Sequence, residues 1–221
     1  MNKLQLVQRL HRESGRTTAS PTSVVGANER HARLFDWVDD AWRELQIERE
    51  WRWMRTTLDV PLIVNQQTYN ATSDFGAARF RRWRMDDDDY NPWLYISGSV
   101  NSLWPLTFTQ LDEFRLMYVY RTWGATTPIA WAIDENNQLL VGPQPALAYK
   151  LRMEYWMSPT VLTADIDAPD MPEEFHLLLM WTALEQVAMA DAAPELLSRA
   201  QAHKIELRTR LLLDQARLPH L

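Results

Sequence analysis

Cysteine is absent from the 221 residues, so the chain holds no disulfide, no thiolate zinc site and no thiol nucleophile. Six scattered glycines are too few to build a phosphate-cradling loop, and neither G-x-G-x-x-G nor a P-loop occurs. No G-x-S-x-G nucleophile elbow is present. The five histidines, His11, His31, His176, His203 and His220, fall in no H-E-x-x-H or H-x-H arrangement. No apolar run approaches the roughly 20 residues that a membrane span needs. The opening MNKLQLVQRLHRES is amphipathic and does not read as a signal peptide. Lysine is scarce, with three residues against twenty arginines, and the net charge of -6 offers no global basic field for nucleic acid. The simplest expectation is a protein of the cytosol, or one assembled there.

What the chain has in excess is tryptophan, with eleven residues. Interface cores are enriched in aromatics, Met and Arg and depleted in Lys. The guanidinium fork pairs bidentately with carboxylates and stacks on rings, which lysine does poorly. A GC-rich genome and an aromatic core account for the same skew, and composition alone leaves both readings open.

Hydrophobic spacing puts Leu4, Val7 and Leu10 on one helical face over residues 3–14, followed by the loop-like GRTTASPTSVVGA. Asn28 is the expected N-cap of a helix reaching residue 48, with Leu34, Trp37, Val38, Ala41, Trp42 and Leu45 as its stripe. The middle reads as β. Thr56–Val60 is a strand that Pro61 places at an edge, and Gln67–Asn70 is expected to pair with it. Phe80–Met85 and Trp93–Ile96 are short strands, and Thr107–Tyr120 a short helix. Residues around Ile129–Ile133 and Leu139–Gly142 form a hairpin across DENNQ. Tyr149, Leu151, Met153, Tyr155 and Met157 alternate with Lys150, Arg152, Glu154 and Trp156 as a half-buried strand.

Pro172 with Glu173 and Glu174 makes a good first helical turn, followed by the face Leu177, Met180, Trp181, Leu184, Val187 and Ala188. A last helix runs from Pro194 to Arg217. The expectation is one α+β domain over residues 1–221: helical over 1–55, β-rich and mainly antiparallel over 56–158, helical over 170–217, with a tail over 218–221.

Two charged segments stand out. Asp86, Asp87, Asp88 and Asp89 are adjacent, whereas a compact Ca²⁺ or Mg²⁺ site alternates its ligands, so a solvated or inter-subunit loop is expected rather than a metal site. Arg79, Arg81, Arg82 and Arg84 interleave with Phe80 and Trp83. Such a stripe can bind nucleic acid through phosphates and stacked bases. The alternative reading has Arg82 and Arg84 on one strand face and Arg79 and Arg81 paired with carboxylates. His176, one turn into a helix beside core positions, reads as a capping or packing histidine.

The segments LQLVQRLHRESG and ARLFDWVDDAWRELQIEREWRWMR resemble the N-terminal helical region of the head-to-tail adaptor, or head-completion, proteins of tailed bacteriophages. The resemblance continues through LLVGPQPALAYKLRMEYWMSPTVLTADIDAPDMPEEFHLLLMWTAL, and residues 71–127 contribute little to it. It implies a structural virion protein without enzymatic activity or cofactor, assembled in the host cytoplasm and located at the head–tail junction. It further implies a ring of twelve copies beneath the portal, a tail or nozzle protein docked below, and DNA passing through without sequence-specific binding. On this reading Arg79, Arg81, Arg82, Arg84, Asp86, Asp87, Asp88, Asp89, Trp83 and Trp93 are candidate inter-subunit contacts. Arg208, Arg210, Arg217, Leu218 and Leu221 are candidate portal contacts. Among the tryptophans, Trp37, Trp42 and Trp181 have core assignments, while Trp83, Trp93, Trp104 and Trp123 are the interface candidates.

Overall fold

Two asparagines start the first two long helices by accepting an amide proton that the helix cannot use itself. Asn2 Oδ1 accepts from the Gln5 amide at 2.9 Å, while Gln5 Oε1 accepts from the Asn2 amide at 3.0 Å, a reciprocal capping box. Asn28 Oδ1 accepts from the His31 amide at 2.9 Å, as expected. The structure, a computed structural model, describes residues 1–15, 19–85, 90–96, 99–121 and 123–216. Its helices are α1 (Lys3–Glu13), α2 (Glu29–Glu48), α3 (Leu111–Phe114), α4 (His176–Ala190) and α5 (Pro194–Gln215). Its strands are β1 (Arg55–Pro61), β2 (Thr68–Tyr69), β3 (Phe80–Trp83), β4 (Trp93–Ile96), β5 (Ser99–Pro105), β6 (Thr107–Phe108), β7 (Ala130–Ile133), β8 (Leu139–Gly142) and β9 (Tyr149–Met157). This is an α+β protein with helices at both ends. It divides into two compact units, residues 1–54 with 159–221, and residues 55–158.

The helical unit is organised by α4. The predicted stripe on this helix is too narrow: Leu178, Leu179 and Ala183 are buried along with Met180, Trp181, Leu184, Val187 and Ala188. The reason is tertiary, since α1, α2 and α5 all pack against it and a helix surrounded on several sides needs apolar residues all round. By contrast α5 buries only Ala200, Leu211 and Gln215 among its 22 residues.

Polar anchors hold the segment after residue 158 to the first two helices. Gln46 Nε2 donates to the Thr160 carbonyl at 2.9 Å, and its Oε1 accepts from the Thr160 amide at 2.7 Å. Buried Lys3 donates through Nζ to Asp39 Oδ2 and to the Leu162 carbonyl, both at 2.7 Å. His176 is indeed a packing histidine, with Nδ1 2.9 Å from the Met1 carbonyl and Nε2 3.0 Å from the Met171 carbonyl.

In the β unit, β9 carries the larger sheet. It pairs antiparallel with β1 on one side and with β4 and β3 on the other, and β5 extends the sheet beyond β4. The smaller sheet runs β2-β8-β7-β6, with β6 and β7 parallel. The core of this unit includes Val60, Trp83, Leu94, Trp131, Leu151 and Met153.

Two expectations need correction, and one strand had no expectation at all. Residues 67–70 do not pair with the Thr56–Val60 strand: Thr68 and Tyr69 lie opposite Leu140 and Leu139 of β8. The intervening loop closes on itself, because the Tyr69 hydroxyl accepts from the Ile63 amide and donates to the Gln66 carbonyl, so it makes no hairpin back to β1. Thr107 and Phe108 are strand rather than helix, held by the Thr107 amide donating to the Ile129 carbonyl at 3.0 Å. Helix begins only at Leu111 and passes into a π-helical turn over Arg115–Val119. Strand β5 was not anticipated, because its Ser and Asn residues show no alternation.

Two outcomes test this packing. A Cβ at Gly142 would meet Tyr118 Cγ at 2.7 Å and Phe114 Cε2 at 2.9 Å, so Gly142→Ala is expected to cost about 1–3 kcal/mol in urea unfolding. Burial raises the Asp39 carboxyl above its ordinary 3.8 against the pull of Lys3, with Asp36 and Asp40 adding to the rise. A carboxyl raised on folding binds more protons folded than unfolded, so its contribution to stability declines as pH climbs from 3.8 through the folded value. Lys3→Met should therefore cost about 3 kcal/mol near neutral pH and distinctly less in mild acid, where Asp39 takes up a proton. Thermal unfolding at the two pH values reads the difference.

Candidate interaction surfaces

The alternation of β9 sends Tyr149, Leu151, Met153 and Tyr155 into the core and turns Lys150, Arg152 and Glu154 outward. Register places Asp59 of β1 and Trp93 of β4 on either side of Arg152. Arg152 grips Asp59 bidentately, Nε to Oδ1 at 2.8 Å and Nη2 to Oδ2 at 3.0 Å. That hydrogen bonding holds the Asp59 carboxyl below its ordinary value.

Two residues along, Glu154 Oε2 lies 2.8 Å from Arg84 Nη1 and 3.2 Å from Arg55 Nε. The Arg84 guanidinium also lies 4.7 Å from the Tyr90 ring centroid, and the Tyr90 hydroxyl accepts from the Glu154 amide at 2.6 Å. Burial pushes the Tyr90 phenol up to about 12. The outward face of this sheet is thus an arginine–carboxylate lattice with aromatic support.

Of the arginine stripe, Arg82 sits opposite Trp156 and Arg84 joins the Glu154 cluster. Arg81 is exposed, and Arg79 donates through Nε and Nη2 to the Ser158 carbonyl at 3.1 and 2.7 Å. Trp93 is 46% exposed on β4. Trp83 requires a correction. It is buried among Phe75, Phe80 and Tyr155, and its Nε1 donates to the Asn137 carbonyl at 3.1 Å, so it anchors the core rather than a neighbouring subunit. Sequence showed an aromatic between arginines but not that the strand's alternation turned that ring inward.

Asp86, Asp87, Asp88 and Asp89 lie outside the described residues, as do Arg217, Leu218 and Leu221. Arg208 pairs with Glu48 of α2, and Arg210 pairs with Glu206 one turn back on α5 at 2.6 Å.

A second surface, of which the sequence flagged only Trp123, lies on the turn that follows α3. Phe114 and Tyr118 turn inward against Gly142, leaving Leu116, Val119 and Tyr120 exposed on the turn that follows α3. Trp123, half-exposed, closes back on it by donating from Nε1 to the Met117 carbonyl. A run too short for a clear helical period gave no signal of which side faced out.

Among the described residues no cluster of three or more His, Asp or Glu side chains is placed to hold a metal ion, and no helix is long and apolar enough to cross a membrane. The chain belongs to a family of structural phage head–tail adaptors. That family is the SU10 adaptor protein, whose model matches residues 1–219 and so spans both units. No curated protein matches the chain.

The two ion-pair sites differ in exposure, which sets their weight. Glu154→Ala removes a carboxylate shared by two guanidiniums and is expected to cost about 2 kcal/mol. Asp59→Ala, at a more exposed pair, should cost less than about 1 kcal/mol. Parallel urea titrations of the two variants check the order.

Proposed function

We propose that this protein assembles as a ring of twelve copies beneath the portal, joins the phage head to the tail and continues the DNA channel. The observation that carries the reading is the family match over residues 1–219. The arginine-rich and aromatic make-up suits it, since interfaces draw on these residues. In a cyclic ring each contact joins one face of a subunit to a different face of the next. The tail or nozzle protein docks on the opposite side of the ring from the portal. A net negative chain favours free passage of DNA, because strong phosphate contacts would retard it.

Within this reading, the Arg79–Arg84 segment and the Asp86–Asp89 run supply opposite charges to neighbouring subunits, and exposed Trp93 adds an aromatic contact. Arg208, Arg210, Arg217, Leu218 and Leu221 contribute the portal contact. The competing use of the arginine stripe for nucleic acid loses its stacking platform with Trp83 in the core and Arg84 engaged by Glu154.

Mixing the protein with its portal and imaging the product tests the reading. A twelve-fold ring on the portal is expected, with no salt-sensitive DNA binding by the free protein. Arg82→Glu and Asp87→Lys should each impair the ring, and deletion of residues 218–221 should weaken portal co-sedimentation with the fold intact. Undiminished assembly in all three variants would remove these contact assignments. Failure of the unaltered chain to engage the portal would remove the ring itself.

A further inference from the structure

Helix α5 is the longest helix among the described residues and the least buried. It turns only Ala200, Leu211 and Gln215 fully inward among its 22 residues, whereas α4 buries nine of 15. Leu196, Leu197, Leu207 and Leu212 make up the rest of its inner side and are half-buried. An open groove of about 490 Å³ is left where α5 passes α2 and α4. Such packing gives the helix little of the apolar burial that holds most helices in place.

Charge spans the gaps instead. Arg199 Nη2 lies 3.0 Å from Glu13 Oε2 of α1, Lys204 Nζ lies 2.7 Å from Glu185 Oε2 of α4, and Arg208 pairs with Glu48 of α2. Both arginines are half-exposed, and ion pairs in water add little. At the far end, Gln215 Oε1 accepts from the Arg52 amide at 3.1 Å. Exposed His203 stacks on Trp181 of α4 with ring centroids 4.3 Å apart, and the Arg199 guanidinium lies 5.7 Å from the same indole.

Neither end of α5 is secured. No side chain caps its N-terminus, and its last turn carries Asp214 and no cation, the wrong sign for that end of the helix dipole. The link back to α4 is strained. That helix closes in a Schellman turn, with the Ala193 amide donating to the Ala188 carbonyl at 2.9 Å and the Ala192 amide to the Met189 carbonyl at 3.3 Å. Ala192 takes a φ of +49° there, at the position where glycine is the usual occupant. A Cβ is strained in left-handed backbone, and the strain disappears once the turn is free to relax.

We infer that α5 is a hinged strap, which swings off α4 as a whole about Asp191–Ala193 while α1, α2 and α4 stay folded. Weakly buried segments open at lower free energy than the core they cover. Opening bares Trp181 and the side of α4 around it, so the helical unit has a closed and an open form. Both forms belong to a single subunit and do not depend on the ring.

Hydrogen exchange of the free full-length protein at neutral pH, followed by mass spectrometry, tests the strap. Amides of residues 198–213 are expected to share one level of protection, at least about tenfold below that of residues 180–188. Glu13→Gln and Glu48→Gln should each speed exchange in α5 about twofold to fourfold and leave α4 unchanged. Ala192→Gly should act in the opposite sense and slow exchange in α5 about threefold or more, because glycine relieves the closed form. Circular dichroism checks that each variant is folded. Exchange of α5 at the rate of α4 would overturn the proposal, since the two helices would then open only together. So would fraying confined to the last turns, with residues 198–204 as protected as α4. An Ala192→Gly chain that opens α5 as often as the unaltered one, or carboxylate variants that move neither helix, would overturn it too.

Discussion

Three strands of the larger sheet take their register from Tyr149–Met157, and the alternation of side chains along that strand divides core from surface. Its odd-numbered residues meet Val60, Leu58 and Leu94 on the inside. Its even-numbered residues hold Arg152 against Asp59 and Glu154 between Arg55 and Arg84. A slip of one residue would drive Lys150, Arg152 and Glu154 into the core while exposing Leu151 and Met153, a cost that no rearrangement of the edge strands offsets. The charged lattice and the apolar core are therefore one constraint seen from two sides.

The tryptophan excess divides along the same line. Trp42, Trp51 and Trp83 are almost fully buried, and each donates its indole N–H to a polar oxygen, from Thr160, Leu45 and Asn137 respectively. Such a ring fills a large volume without stranding its one polar atom. Trp93 and Trp123 instead remain half in water on two different surfaces of the β unit. The arginines show a similar versatility: Arg152 clasps a carboxylate with two nitrogens, Arg84 pairs and stacks at once, and Arg79 serves a main-chain carbonyl. Lysine offers a single point of charge for any of these roles.

Much of the fold was legible because several segments carry strong local signals. Asn28 marked the start of α2, the alternation over residues 149–157 marked β9, and the DENNQ turn marked the hairpin, in which Asp134 Oδ1 accepts from the Gln138 amide at 2.7 Å. What escaped depends on partners distant in sequence. The second buried side of α4 exists only because other helices cover it. Strand β2 pairs with a segment about 70 residues away, and β6 lies parallel to β7, an arrangement no local hairpin rule anticipates. The arginine stripe was visible as a string, but its division into inward and outward members follows from pairing with β9. The exposure of Leu116, Val119 and Tyr120 gave still less warning, since it follows from how Phe114 and Tyr118 lock against Gly142.

The two units differ in how their chain segments are arranged. Residues 55–158 are continuous, whereas the helical unit is made of residues 1–54 and 159–221. On the ribosome, the β unit has all its strands once residue 158 has emerged. The first two helices pack on each other and on α4, so their unit is complete only after α4 has followed. Closing that unit joins segments more than 100 residues apart, so its topology makes it the slower and later event of biosynthesis. Until then Leu34, Val38 and Trp42 on α2 lack their permanent neighbours, and a nascent chain truncated before α4 would be the species most exposed to chaperones and proteases.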